Sequence, residues 1–180
     1  RVEVDRTTVT VLGTRVDPTQ QEIRVDGTPL AKPRHTYYLL NKPTGIVSTN
    51  RDPAGRARVI DLVPSETRLF TVGRLDRSSE GLILVTNDVE LANQVSHPRY
   101  EIAKTYRAKV VGFPSPETLK TLRKGVYLSD GLAKVASLRV KSRHARGSEL
   151  EIVLTEGRNR EIRRILAKVG HKVLHLTRIA

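Results

Sequence analysis

The sequence predicts an α+β fold, because three segments with helical spacing and clear start and stop signals are interleaved with short runs in which apolar and polar residues alternate. A third observation is the apolar run Leu82-Ile83-Leu84-Val85, bounded by Gly81 and by Asn87-Asp88, which is the right length for a buried strand and too short for a buried helix. At 180 residues the chain can bury a substantial core, most simply as one principal domain with room for a small appendage.

The appendage comes first. Residues 9–13 and 22–27 are short β-type runs separated by Asp17-Pro18, the second ending in an Asp26-Gly27 turn, and residues 31–34 read as a linker. The expected division is therefore 1–31 and 32–180, with the first part too small to fold alone. In the main part, residues 37–40 predict a strand, residues 41–45 a turn, and a basic loop 51–58 leads through residues 59–63 to a brief strand over 69–72 that Gly73 stops. Asn87-Asp88 can cap a helix with Leu91 and Val95 on one face, ended by Pro98. Residues 104–111 alternate, with Tyr106, Ala108 and Val110 on the face expected to be buried. Ser115-Pro116-Glu117 opens a second helix that Gly125 ends. Alternating runs at 136–140 and 150–154 follow, and the last helix is expected from a cap at Asn159 through Ile162, Ile165, Leu166 and Val169 to Gly170. Residues 171–179 alternate again as a strand.

Lys and Arg total 32 against 19 Asp and Glu, a formal charge of +13, with a pI near 10.5. Such a surface gains affinity for nucleic acid by counterion release, independent of sequence. An anionic membrane surface is the weaker alternative, because no segment joins a basic face to a long apolar one and none approaches the roughly 20 apolar residues of a spanning helix. Cysteine is absent, which excludes disulfides, thiolate metal sites and a cysteine nucleophile and fits a reducing cytoplasm. The chain opens at Arg1 and contains no Met, so further native sequence is expected upstream.

Two stretches carry chemistry. GRLDRSSEGL, residues 73–82, puts one carboxylate, Asp76, between Arg74 and Arg77 in a glycine-bounded loop ahead of a strand, where no helix needs capping. An ordinary turn or a surface ion pair also fits the loop by itself. GRNREIRR, residues 157–164, concentrates arginines near a helix start, where they oppose the helix dipole, a placement that suggests use on an anion as readily as a solvated basic face. His171 and His175 are four apart in a run that reads as a strand, about 13 Å, too far to share one ion.

Four ordered motifs, LNKPTGIVST, GRLDRSSEGL, KTYRAKV and GRNREIRR, covering residues 37–180, together resemble the pseudouridine synthases that modify bacterial ribosomal RNA. That resemblance implies a mixed, largely antiparallel sheet flanked by helices with an RNA-binding cleft across its middle. The implied reaction is isomerisation of uridine to pseudouridine, which needs no cofactor and no metal. Asp76 would be the catalytic carboxylate, Tyr106 would lie against the target base, and Arg163, by motif position, would pair with Asp76, with Arg158, Arg160 and Arg164 close enough to take that role instead. Lys42, Arg74, Arg77, Lys104, Arg158, Arg160 and Arg164 are the expected RNA contacts. The expected partner is ribosomal RNA, 23S in particular, met by a monomer without membrane attachment. Residues 1–31 resemble the closing β part of an S4 RNA-binding domain, although a plain β-hairpin has the same spacing. The competing class is a non-catalytic ribosome-associated RNA-binding module; it leaves Asp76 unexplained, since a carboxylate within a basic surface weakens phosphate binding.

Overall fold

A computed structural model describes residues 1–18, 20–31 and 34–180, so the expected linker at 31–34 falls partly, at Lys32 and Pro33, outside the described residues. The chain forms two compact units, Arg1–His35 and Thr36–Ala180.

The first unit is a small antiparallel sheet of β1 (Val2–Val4), β2 (Thr7–Thr8), β3 (Ile23–Val25) and β4 (Thr28–Pro29), in the order β2-β1-β3-β4. The Asp26-Gly27 turn forms as expected, both residues at positive φ, as a two-residue hairpin of the mirror-image type requires. The strand expected at 9–13 does not form. Asp5 and Arg6, also at positive φ, already close a hairpin between β1 and β2. Val9 makes one last ladder bond to Val2 O, after which Val11 and Leu12 stand exposed with no strand beside them.

The second unit contains β5 (Tyr37–Lys42), β6 (Phe70–Val72), β7 (Glu80–Thr86), α1 (Val89–Ser96), β8 (Lys104–Val111), α2 (Pro116–Lys124), β9 (Val126–Leu128), β10 (Gly131–Ala133), β11 (Ser137–His144), β12 (Gly147–Leu154), α3 (Glu161–Lys168) and β13 (Val173–Arg178), with 3-10 turns at Val59–Leu62 and Pro98–Tyr100. Its main sheet runs β11-β12-β8-β13-β7-β5, antiparallel except where β13 meets β7, and β6 pairs with β7 as well. The α+β class and the mixed, largely antiparallel sheet are as expected.

Strand β7 has one edge that two strands share. Its pairing with β5 runs along residues 81–86 and takes one whole edge. The other edge is divided: β13 pairs at Glu80 and Gly81, and β6 at Leu84, Val85 and Thr86. Between them no strand among the described residues pairs with this edge of β7 at Leu82 and Ile83, and Arg178 Nε fills part of the gap by donating to Leu82 O at 2.6 Å. Leu82 and Leu84 are only half-buried, because they lie on the opposite face of β7 from the buried Ile83 and Val85, where the apolar run predicted full burial.

The helix caps read from sequence hold at α1 and α2. Asp88 Oδ1 accepts from Leu91 N–H, and Ser115 Oγ accepts from Thr118 N–H with Pro116 in the first turn. At α3 the start differs: Arg160, not Asn159, is the cap, in a left-handed conformation (φ 48°) with no side-chain cap bond. The end of α3 is as expected. Gly170 at φ 84° donates to Ala167 O and His171 N donates to Leu166 O, the paired bonds that close a helix through a left-handed residue. Strand β13 begins only at Val173 and bulges between Val173 and His175, so the alternation expected from residue 171 is broken there. His171 sits outside the strand, its Nδ1 2.9 Å from Val111 O. The core joins Ile83, Val85, Ala108, Val110, Leu150 and Ile152 of the sheet to Ile162, Ile165 and Leu166 of α3 and Leu122 of α2.

Candidate active site

The loop from Gly73 to Ser79 carries Asp76 from β6 back to β7, and it is clamped by contacts remote in sequence. Ser48 Oγ donates to Leu75 O and accepts from Leu75 N–H. Gly45 N donates to Arg77 O, and Arg77 Nε returns a bond to Gly45 O at 3.2 Å. Lys42 Nζ donates to Ser79 O at 2.7 Å and to Pro43 O at 2.8 Å. From the opposite side, Arg163 Nη2 donates to Ser78 O at 3.0 Å and Nη1 to Val173 O at 3.3 Å. The LNKPTGIVST and GRNREIRR motifs thus hold the GRLD loop between them. A site positioned by packed and bonded backbone keeps its reacting group in one geometry.

Two expected roles change with these contacts. Lys42 is not an RNA contact: its side chain is fully buried and its ammonium is spent on two carbonyls of the loop. Burial pushes its pKa down, while the charges of Asp76 and Glu80 push it up. Arg163 does not make a forked pair with Asp76. Its guanidinium is taken by the Ser78 and Val173 carbonyls, and the arginine that reaches the carboxylate is Arg160, Nη1 to Asp76 Oδ2 at 3.4 Å. The left-handed turn at Arg160 swings its side chain toward the loop, a conformation that costs a non-glycine residue about 1–2 kcal/mol. Burial, then the charge of Arg160, lowers the Arg163 pKa, with Asp76 opposing.

Asp76 and Arg160 line a cavity of about 80 Å³ with Tyr106, Arg74, Arg158 and Glu161. Tyr106, Arg74 and Gly157 also line a neighbouring cavity of about 290 Å³ between β6 and β13, walled by Leu82 and Leu84 and edged by Lys104 and Arg178. Tyr106 is 8% exposed and stands between the two spaces. Asp76 lines the smaller space, together with Tyr106, and not the larger one. Lys104 Nζ donates to Ile102 O; burial and then the nearby Arg178 lower its pKa.

The remaining expected RNA contacts divide. Arg74 and Arg77 are exposed beside Asp76. Arg164 is committed to a fork on Asp130, at 3.0 and 2.8 Å, and Arg158 to Glu156 at 3.1 Å and Asp130 O at 3.2 Å. Their charges are already met by protein acceptors. The hairpin β9–β10 that supplies Asp130 was not legible, because each of its strands has three residues.

Glu161 was missed. It is 3% exposed, and its Oε2 accepts from Arg158 N–H at 3.0 Å while its Oε1 is buried without a hydrogen bond. Burial pushes its pKa up to about 7, and the neighbouring Glu156 adds to the rise while the Arg158 N–H and guanidinium oppose it. The signal was present as a lone carboxylate three residues after Arg158 in an arginine-rich run. Because the folded state holds this proton at pH values where the unfolded chain, near 4.5, has released it, stability falls as pH rises from about 4.5 to 7. Glu161→Gln is therefore expected to leave stability at pH 4.5 nearly unchanged and to raise it at pH 8 by about 1–3 kcal/mol. Urea unfolding at the two pH values checks this, and an equal effect at both would mean Glu161 does not titrate with folding.

Among known proteins, a profile of the family described as RNA pseudouridylate synthase matches residues 36–168. The chain is 41% identical, over its whole length and 73% of the relative's, to an uncharacterized RNA pseudouridine synthase of Aquifex aeolicus. It is 39% identical, over 99% of its length and 74% of the relative's, to ribosomal large subunit pseudouridine synthase B of Bacillus subtilis. A crystal structure of a pseudouridylate synthase superposes with a TM-score of 0.74 over 98% of this chain and 76% of that one, at 24% identity, a likeness of fold.

Proposed function

The chain belongs to the RNA pseudouridylate synthase family, whose reaction turns uridine in RNA into pseudouridine, and from that premise we propose that Asp76 is its catalytic carboxylate and large-subunit ribosomal RNA its substrate. The observation that carries the reading is Asp76 itself: a part-exposed carboxylate in a clamped loop, facing the same cavity as a buried tyrosine ring. The N1 glycosidic bond breaks, the uracil turns while held, and C5 joins C1′, so no redox partner enters the balance. Asp76 acts at the nucleotide either as nucleophile or as the base that starts an elimination at the ribose. Arg160 orients the carboxylate, and Arg163 steadies the loop beneath it. The target nucleotide leaves its stack at a cost of a few kcal/mol, offset by backbone contacts to Arg74, Arg77 and other cations along the cleft. Residues 1–31 are proposed as the β part of an S4-like RNA-binding module, and the enzyme as a cytoplasmic monomer. The B. subtilis relative's name supports the large subunit as target. Pseudouridine mapping in rRNA from cells with and without the gene tests the substrate: loss of one site in 23S rRNA is expected, and loss in the small subunit or in no rRNA would overturn it.

Tyr106 is proposed to lie against the base, with its phenol placed to take the C5 proton. Base–aromatic stacking contributes about 1–3 kcal/mol, so Tyr106→Phe should bind an rRNA fragment as the parent does, while Tyr106→Leu, which fills the core without a ring, should bind about 5- to 100-fold more weakly. The Phe variant should also accumulate a cleaved, unrejoined nucleotide. Full turnover by that variant removes the phenol from the mechanism, and equal binding by the Leu variant removes the stacking.

A further inference from the structure

Glu161 is a buried carboxyl at the first helical position of α3; its Oε2 accepts from Arg158 N–H, and the carboxyl also meets the side chain of Glu156. An apolar side chain of the same volume would fill the place without desolvating a polar group, so the carboxyl needs another reason to be there. The bond it makes supplies one. Oε2 accepts from Arg158 N–H, and Glu161 N donates to Arg158 O at 3.3 Å, so one residue closes both ends of the turn 158–161. Inside that turn sits Arg160, left-handed and without a side-chain cap of its own. The turn that aims the Arg160 guanidinium at Asp76 is thus tied at its backbone, at Arg158 N–H, by the Glu161 side chain.

We propose that Glu161 is a positioning residue for the isomerisation, holding the 158–161 turn so that Arg160 stays on Asp76. The inference rests on the reading of Asp76 as the catalytic carboxylate. Glu161 does not touch the substrate; it acts through Arg160. Arg158 secures the same turn from outside, through Glu156 and the Asp130 carbonyl, and Arg164 on α3 turns away to Asp130. Neither restrains the backbone at Arg158 N. What the position demands is an acceptor at the reach of a glutamate side chain, whether charged or neutral. Glu156 beside it favours a neutral one, which is why the amide of glutamine is a fair replacement.

The test compares Glu161→Gln, which keeps the acceptor at full reach, with Glu161→Asn, which carries the same amide one methylene short of Arg158 N–H. Single-turnover rates are measured at saturating enzyme on one rRNA fragment, with binding followed in parallel. The Gln variant should react within about twofold of the parent, and the Asn variant about 10- to 100-fold more slowly with RNA affinity little changed, as loss of orientation at a reacting group predicts. In an Arg160→Ala background the Asn change should cost nothing further, because residues acting in series are not additive. Should Glu161→Asn fail to fold, Glu161→Leu, matched in volume and lacking the acceptor, takes its place in both arms. Equal rates for Gln and its short or apolar counterpart, or full additivity with Arg160→Ala, would overturn the proposal. Asp76→Asn run alongside separates the premise from the inference: if that variant still turns over, the catalytic assignment has failed, whereas a dead Asp76→Asn with additive Glu161 and Arg160 effects sinks only the role of Glu161.

Discussion

Asp76→Asn is expected to abolish pseudouridine formation, to below about one thousandth of the parent rate, while RNA binding stays equal or tightens. Asparagine has the same shape, so the loop clamps made by Ser48, Gly45, Lys42 and Arg163, all to backbone of neighbouring residues, survive the change. What disappears is the negative charge, and with it the ability to attack the sugar or to accept its proton. The binding prediction has its own sign. Arg74, Arg77 and Arg160 surround the carboxylate, and removing one anion from among those cations raises the local positive potential that phosphates meet. Turnover and affinity should be measured for parent and variant on the same rRNA fragment at one salt concentration. Substantial turnover would remove Asp76 from the chemistry, and a large loss of affinity with normal turnover would make it a binding residue instead.

The parts of this arrangement that were legible in sequence are those written in neighbouring residues. Asp88 and Ser115 cap their helices because a short polar side chain reaches the N–H three residues ahead, and the alternation of Tyr106, Ala108 and Val110 reports one buried face of one strand. The Asp76 loop was visible for the same reason, as a carboxylate between arginines with a glycine on each flank. What escaped depends on distance along the chain. Lys42 looks like any basic surface residue until Ser79 folds over it, and the choice between Arg160 and Arg163 turns on a backbone conformation at residue 160 that no propensity favours for arginine. Strand β11 extends well past the expected alternation at 136–140 because it is an edge strand, where Lys141, Arg143 and His144 tolerate water and only the pairing with β12 defines them as strand.

The glycine that closes the GRLDRSSEGL signature leads to the second large effect, a loss of stability in Gly81→Ala. Gly81 lies on β7 where β13 comes alongside, paired to Arg178, and it holds φ at 106°, a region in which an L side chain is strained by about 1–3 kcal/mol. A Cβ at this position would stand 2.6 Å from Arg178 N and closer still to Arg178 O. Both atoms are backbone of a strand that is hydrogen-bonded to β8 on its far side, so the neighbour cannot yield without shifting the centre of the sheet. Strain and displacement together should cost about 3–5 kcal/mol, a large share of the roughly 5–15 kcal/mol that holds a domain folded. Gly157→Ala is the matched control, since a Cβ there meets nothing within 4 Å and the backbone is ordinary. Urea unfolding of the two variants should separate their midpoints widely, with Gly157→Ala near the parent. The same displacement would move Ser79, two positions before Gly81, whose carbonyl Lys42 holds in the clamp on the Asp76 loop, so whatever fraction of Gly81→Ala remains folded should turn over slowly. A Gly81→Ala protein as stable as the parent would mean that β13 does not approach β7 this closely, and the divided edge of β7 would have to be drawn differently.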